Sequence, residues 1–105
     1  MAKYVFLVLV DAVDGRDDEL NDFLDNVHIP EFIRDSGATR CTRYEVAPEE
    51  ANNPKATRRY MHMYEVETDD LAKVKEMAAA AKHLRTPLSP AMDGAGSIPV
   101  WYKAR

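Results

Sequence analysis

The chain has 105 residues, of which 46% are hydrophobic, and its 14 basic and 18 acidic residues give a formal net charge of -4. This length and composition indicate one globular domain, residues 1–105, with a packed core. The acidic balance repels phosphate backbones and anionic lipid, so we expect no nucleic acid partner and no membrane partner.

The single cysteine and the apolar segments bear on where the protein works. Cys41 has no second cysteine for an intrachain disulfide, and no Cys and His spacing resembles a zinc site. We therefore expect a reducing, cytoplasmic location and no metal. The apolar run at residues 4–10 is cut by Asp11 and lacks a cleavage site, which favours a strand over a secretory signal.

The first half of the chain predicts a central strand, a helix and an edge strand. Residues 4–10 are apolar at every position, which is typical of a strand buried on both faces. From Asp18 the apolar residues recur at helical spacing, and Gly37 ends the pattern. Pro30 has no N–H for the carbonyl of Asn26, so the helix is expected to kink or restart there. Residues 39–47 alternate as an edge strand does.

The second half of the chain repeats this order. Residues 48–57 predict a loop, and residues 59–67 predict a strand that is apolar or aromatic on both faces. Thr68 and Asp69 cap a second helix that ends near His83. Residues 86–97 predict a loop that covers another part of the protein. Residues 98–102 predict a last short strand, which Pro99 confines to an edge or a bulge.

The order β-α-β-β-α-β predicts a ferredoxin-like α+β fold, in which a four-stranded antiparallel sheet has two helices on one face and its first and third strands at the centre. Two helices cover one face only, while the central strands are apolar on both. The open face would then present a larger apolar patch than a monomer tolerates. We therefore expect a homodimer formed through the sheet faces.

Two histidines are the candidate catalytic residues. His28 lies on the apolar face of the first helix just before Pro30, where an imidazole aimed at the sheet suits a general base near neutral pH. His62 lies between Tyr60 and Tyr64 on one face of a central strand, where buried polar groups need one another or a ligand as partners. The alternative for His28 is a core histidine that is hydrogen-bonded to the backbone. The alternative for His62 and its neighbouring tyrosines is an aromatic packing layer.

If that strand face meets the first helix, His28 and His62 share one cavity. His83, in the last turn of the second helix, favours the helix dipole and is also a possible pocket member. The expected substrate-binding residues are Tyr4, Phe23, Tyr44, Tyr60, Tyr64, His83 and Trp101. Because strand register cannot be derived from the sequence, it is open which tyrosines face the pocket.

The sequence contains no phosphate-binding glycine loop, no Gly-x-Ser-x-Gly elbow and no His-Glu-x-x-His pair, so we expect chemistry without a cofactor. Four further stretches of the sequence are Tyr4-Val-Phe-Leu-Val-Leu9, Gly15-Arg-Asp-Asp-Glu-Leu-Asn-Asp22, Asn26-Val-His-Ile-Pro30 and Tyr60-Met-His-Met-Tyr-Glu65. Together they resemble the EthD-like group of dimeric α/β-barrel proteins, and with Thr86-Pro-Leu-Ser-Pro-Ala-Met-Asp93 the resemblance spans nearly the whole chain.

The resemblance implies a homodimer whose two sheets form a barrel, with a pocket between each sheet and its helices. The wider superfamily includes cofactor-free polyketide cyclases, lactone isomerases, quinol-forming monooxygenases and haem-degrading enzymes, and the fold does not choose among them. Our leading hypothesis is a cofactor-independent lyase, isomerase or cyclase that acts on a small hydrophobic, aromatic or polyketide-like molecule. His28 would be the base, and His62 the acid or oxyanion donor. The alternatives are a non-catalytic dimer that binds a hydrophobic metabolite and a cofactor-free oxygenase of phenols.

Overall fold

Four strands form one antiparallel sheet in the order β2-β3-β1-β4 in the computed structural model, which describes all 105 residues. The strands β1 and β3 are central and β2 and β4 are the edges. This order and the helices that cover one face of the sheet confirm the predicted ferredoxin-like α+β fold. The strands are β1 (Ala2–Ala12), β2 (Arg40–Glu45), β3 (Tyr60–Thr68) and β4 (Met92–Lys103).

The helices cover the sheet face that carries the core. The first helical segment is continuous and consists of α1 (Asp17–Phe23), a π-helical turn (Leu24–His28) and α2 (Ile29–Ser36), and the second helix is α3 (Leu71–Ala80). Leu20, Leu24 and Val74 from these helices share one buried cluster with Tyr64 and Val66 of β3. None of the helices has the length and apolar character needed to cross a bilayer.

The segment before Pro30 widens instead of kinking. The N–H of Ile29 bonds the carbonyl of Leu24, five residues back, and both His28 and Ile29 keep right-handed helical backbone angles. The helix does not restart at Pro30, because the backbone stays helical from the π turn into α2, and the extended geometry expected at Ile29 is absent. The extra residue of the π turn accommodates the missing proline N–H within a continuous segment.

The last strand is longer than the sequence pattern predicts. It begins at Met92, and its first residues pair with the end of β1, with Asp93 opposite Asp11 across a register shift. The prediction of a loop through residue 97 was wrong, because Gly94, Gly96 and Ser97 are weak strand formers whose pairing comes from the extended β1. Pro99 lies on an edge strand, as predicted.

Strand register divides the sheet into two different faces. Tyr60, His62, Tyr64 and Val66 of β3 are all buried on the helix face. The opposite face, which we call the open face, carries side chains that no helix covers, and most of them are half-buried or exposed. Its apolar and aromatic members, which lie in rows across the paired strands, are Tyr44, Met61, Leu9, Ile98, Met63, Leu7, Val100, Val5 and Tyr102.

A side-chain cap begins α3, and its removal should be measurable. The carboxylate of Asp70 accepts a hydrogen bond from the N–H of Lys73 at 3.1 Å. We expect Asp70→Ala to lower the free energy of unfolding by about 1 kcal/mol in urea titrations, because that N–H loses its partner. Asp69→Ala is the matched control, since this exposed carboxylate lies 3.9 Å from the terminal amine and should contribute little. Equal losses in both variants would contradict the capping role.

Candidate functional site

A cavity of about 270 Å³ lies between the helix face of the sheet, the first helical segment and the residues that follow α3. This volume is slightly below the usual range for ligand sites, so it suits a molecule of one or two rings. The predicted loop that covers another part of the protein does so here, where residues 86–88 form one wall. The lining residues are Phe6, Val8, His28, Phe32, Tyr64, Lys82, Arg85, Thr86, Pro87, Leu88, Met92 and Pro99.

Two other depressions of the surface, which have larger volumes, are less suited to chemistry. One of about 320 Å³ lies where β1 begins, beside Lys3 and Tyr4, and one of about 510 Å³ lies beside the loop after β2. Neither is lined by a buried polar atom that lacks a hydrogen bond, whereas the smaller cavity is lined by two residues with such atoms, His28 and Tyr64. Because a buried unpaired group is unfavourable until a ligand satisfies it, the 270 Å³ cavity is the candidate site.

Stacked aromatic side chains form one wall of this cavity and support it from behind. Phe6 of β1 stacks on Phe32 of α2 with ring centroids 5.6 Å apart, and Phe32 contacts the ring of Tyr64 at 4.5 Å. Trp101 of β4 supports Phe6 from the other side at 4.5 Å. Such rings have few rotatable bonds, so they offer a stiff apolar surface against which a flat ring can lie.

His28 is the titratable group in the cavity wall. It is the last residue of the π turn, and its ring stacks on Phe23 at a centroid distance of 5.8 Å. Its Nδ1 is buried and has no hydrogen-bond partner. Burial, followed by the nearby charge of Arg85, lowers the pKa of this imidazole, and Glu31 partly opposes the shift. His28 is therefore neutral at pH 7, and one nitrogen of a neutral imidazole can accept a proton.

His62 lies behind the cavity wall. Its side chain is 1% exposed, and neither ring nitrogen has a hydrogen-bond partner. The ring meets Tyr64 edge-on at 5.4 Å, and it is not among the residues that line the cavity. Burial, together with the nearness of His28 and Arg43, lowers the pKa of His62 to about 3. It is therefore neutral at pH 7 and a poor proton acceptor there.

Tyr64 is the second cavity-lining residue with an unpaired polar atom. Its side chain is as buried as that of His62, and its hydroxyl has no partner within the chain. Burial raises the pKa of this phenol, so the hydroxyl keeps its proton and can donate a hydrogen bond to a ligand. His28 and Tyr64 thus provide one proton acceptor and one donor on an otherwise mostly apolar wall.

The structure separates the other predicted site residues. Tyr44 is on the open face and is 45% exposed. Its neighbours Arg43 and Glu45 pair with His62 and Tyr60 of β3, so they lie on the helix face instead. The expectation that Tyr44 shares a cavity with the histidines is therefore corrected by the register. Tyr4 lies on the helix face but in the depression where β1 begins.

The remaining predicted residues also fall into two groups. Tyr60 is buried away from the cavity, where its hydroxyl donates a hydrogen bond to Asp17 at 2.7 Å, and His83 is exposed outside the cavity. Phe23 and Trp101 contact residues that line the cavity without lining it themselves. Of the nine predicted residues, His28 and Tyr64 line the cavity and three more support its wall.

Sequence reasoning missed the two cations of the cavity, Lys82 and Arg85. Both follow α3, and the only sequence signal was a short cluster of basic residues where the helix ends. The side chain of Arg85 is 11% exposed, and its Nη1 donates hydrogen bonds to Asp35 at 2.9 Å and to the carbonyl of Ala78 at 3.0 Å. Its guanidinium also lies over the ring of Phe32 at 5.4 Å.

Together the fold and the site define a ferredoxin-like α+β protein with a small, largely apolar cavity beside its sheet. Among solved structures, the chain is similar to a dimeric ferredoxin-like protein of unknown function from Thermobifida fusca YX, with a TM-score of 0.57 and 12% sequence identity over 98% of this chain and 92% of that chain. At this identity the likeness shows the fold alone. No family model matches the sequence, and no curated protein is significantly similar to it.

Proposed function

We propose that the protein is a cofactor-independent lyase, isomerase or cyclase that moves a proton on a small hydrophobic, aromatic or polyketide-like molecule bound in the cavity. The observation that carries this proposal is that His28 and Tyr64, each with a buried polar atom that lacks a hydrogen-bond partner, both line a cavity made mostly of apolar groups. Such pairs of buried, perturbed titratable groups are concentrated at functional sites.

The two groups suit the two roles of proton-transfer catalysis. His28, neutral at pH 7, would accept a proton from a carbon next to a carbonyl or from a phenol. Loss of the proton leaves an enolate or phenolate with negative charge on its oxygen, and the hydroxyl of Tyr64 would donate a hydrogen bond to that oxygen. The imidazolium then returns the proton to the product. In this proposal Tyr64 replaces His62 as the donor, and His62 positions the Tyr64 ring through their edge-on contact.

The test is turnover by His28→Ala across a panel of phenols, β-keto aromatic compounds and lactones. We expect kcat to fall by about a hundred- to ten-thousand-fold, the usual contribution of one general base. For the wild type, kcat/KM should rise with increasing pH, and the midpoint of the rise should lie below pH 6.5 because burial lowers the pKa of His28. His83→Ala is the matched control, since this exposed histidine lies outside the cavity. If His28→Ala turned over a substrate as fast as the wild type does, the proposal would be contradicted.

A specific observation favours a second candidate function, the binding of a hydrophobic metabolite without catalysis. His62 is enclosed and neutral, so only one histidine of the cavity can exchange a proton near pH 7. A binding protein needs the shape of the cavity and not the protonation of His28. Measurable affinity without turnover, unchanged between about pH 5 and 8, would favour this candidate.

We further propose that the open face joins two copies of the chain, as in the EthD-like dimeric α/β barrels that the sequence resembles. The chain exposes 6887 Å², whereas a monomer of its mass is expected to expose about 6,000 Å². The similar protein from Thermobifida fusca is described as dimeric, which is consistent with this proposal.

A further inference from the structure

Two cations and no carboxylate line the cavity. Lys82 and Arg85 are the charged members of the lining, and no Asp or Glu is among them. The carboxylate of Glu31, which lies close enough to influence His28, is engaged by the N–H and the hydroxyl of Thr86 at 2.7 and 2.9 Å. The charge that the cavity offers to a ligand is therefore positive, although the chain as a whole is acidic.

Arg85 has bonding capacity that the protein itself does not use. Only its Nη1 makes hydrogen bonds within the chain, so Nε and Nη2 are free to donate. Its counter-ion Asp35 is shared, because Arg34 also bonds that carboxylate at 2.9 Å. Asp35 thus faces two guanidinium groups, but Arg34 is also close to the carboxylate of Glu31. These four charges balance, so Lys82 supplies the net positive charge of the cavity. Lys82 is exposed and forms no ion pair.

Tyr64 provides a second observation that points to a ligand, since this residue lines the same cavity and its buried hydroxyl lacks a partner. A guanidinium with two free N–H groups matches the two oxygens of a carboxylate, and a mostly buried position strengthens that bond. The stacked rings of Phe6 and Phe32 provide the apolar surface for the rest of the molecule.

We propose that the cavity selects small aromatic carboxylates, with the carboxylate on Arg85, assisted by Lys82, and the ring against Phe6 and Phe32. This inference rests on the proposed function, because it takes the cavity to be the substrate site. Arg85 then determines which molecules bind, while His28 and Tyr64 act on the bound molecule.

The test compares two probes of the same shape, 4-hydroxybenzoate and its neutral amide, 4-hydroxybenzamide. Calorimetry should show the acid binding at least about tenfold more tightly, the effect of one charge-assisted hydrogen bond in a partly buried site. The fluorescence of Trp101, the single tryptophan, provides a second readout because its ring supports Phe6. Arg85→Gln should reduce the preference for the acid to less than about twofold.

Arg85→Gln removes a partner of Asp35, so its fold is to be checked by circular dichroism. Lys82→Met changes an exposed residue and keeps the test valid if Arg85→Gln is unstable. It should weaken binding of the acid about threefold and leave the amide unchanged. Lys75→Met is the matched control, because Lys75 is exposed on α3 away from the cavity and its loss should change neither affinity.

Equal affinity for acid and amide in the wild type, or no detectable binding of either probe, would overturn the inference. The same holds if Lys75→Met and Lys82→Met weaken acid binding equally. A preference for the acid without any turnover would contradict the catalytic proposal but support this inference. Turnover of neutral substrates with no preference for the acid would support the catalytic proposal but contradict this inference.

Discussion

Replacement of His62 by leucine should make the protein more stable, even though the side chain lies in the centre of the core. His62 is 1% exposed, and neither of its ring nitrogens has a hydrogen-bond partner. Each buried polar atom without a partner costs about 1–3 kcal/mol, and an apolar side chain of similar size avoids that cost. At pH 7.5 we expect His62→Leu to raise the free energy of unfolding by about 1 kcal/mol or more.

The stabilisation should grow as the pH falls. The pKa of His62 is about 3 in the folded protein against 6.5 for an ordinary histidine, so the unfolded chain binds more protons between these values. The free energy of unfolding of the wild type therefore decreases below pH 6.5, and by pH 5 the loss from this residue is about 2 kcal/mol. His62→Leu lacks this contribution, and the difference between the two proteins should widen by that amount.

Urea titrations of wild type and variant at several pH values would measure this difference, since the other titrating groups are common to both. His83→Leu is the control, because that histidine is exposed and its replacement leaves the core intact. A His62→Leu protein that is less stable at every pH would mean that His62 has partners in solution. A more stable variant would indicate that His62 is retained for the site and not for the fold.

The fold could be predicted because hydrophobic pattern alone distinguishes central strands from edge strands. Residues 4–10 and 59–67 are apolar or aromatic on both sides, which is possible only in the middle of a sheet. Those segments became β1 and β3, the two central strands. The helices were recognised from their spacing and caps, which depend on residues close in sequence.

The site was less predictable because it depends on contacts between residues distant in sequence. A shift of one position moves a strand residue to the other face, and the pattern of β2 did not determine that Arg43 and not Tyr44 faces the helices. Arg85 follows α3 in the chain but reaches Phe32 and Asp35 of α2. Only the packing of the two helices brings these groups together, so no local motif marks them.

The open face yields the last prediction, on assembly. Tyr44 and Ile98 are exposed in the single chain and lie on the two edge strands in the same row of this face. If the chain were a monomer, changing both to lysine would alter its stability by little, as substitutions on a solvated surface do. If two open faces meet, the same change places charges in an apolar interface, where each unpaired charge costs several kcal/mol.

We therefore expect the wild type to sediment as a dimer at micromolar concentration, and the Tyr44→Lys, Ile98→Lys double variant to have a dimer dissociation constant at least a hundredfold higher, about 3 kcal/mol. Analytical ultracentrifugation over a range of concentrations would measure it. The matched control is Met77→Lys with Leu84→Lys, two exposed apolar residues outside the open face. Because that control adds the same charge, equal dissociation in both variants would mean that net charge and not this face governs assembly. A folded wild-type monomer at these concentrations would remove the basis for the dimer.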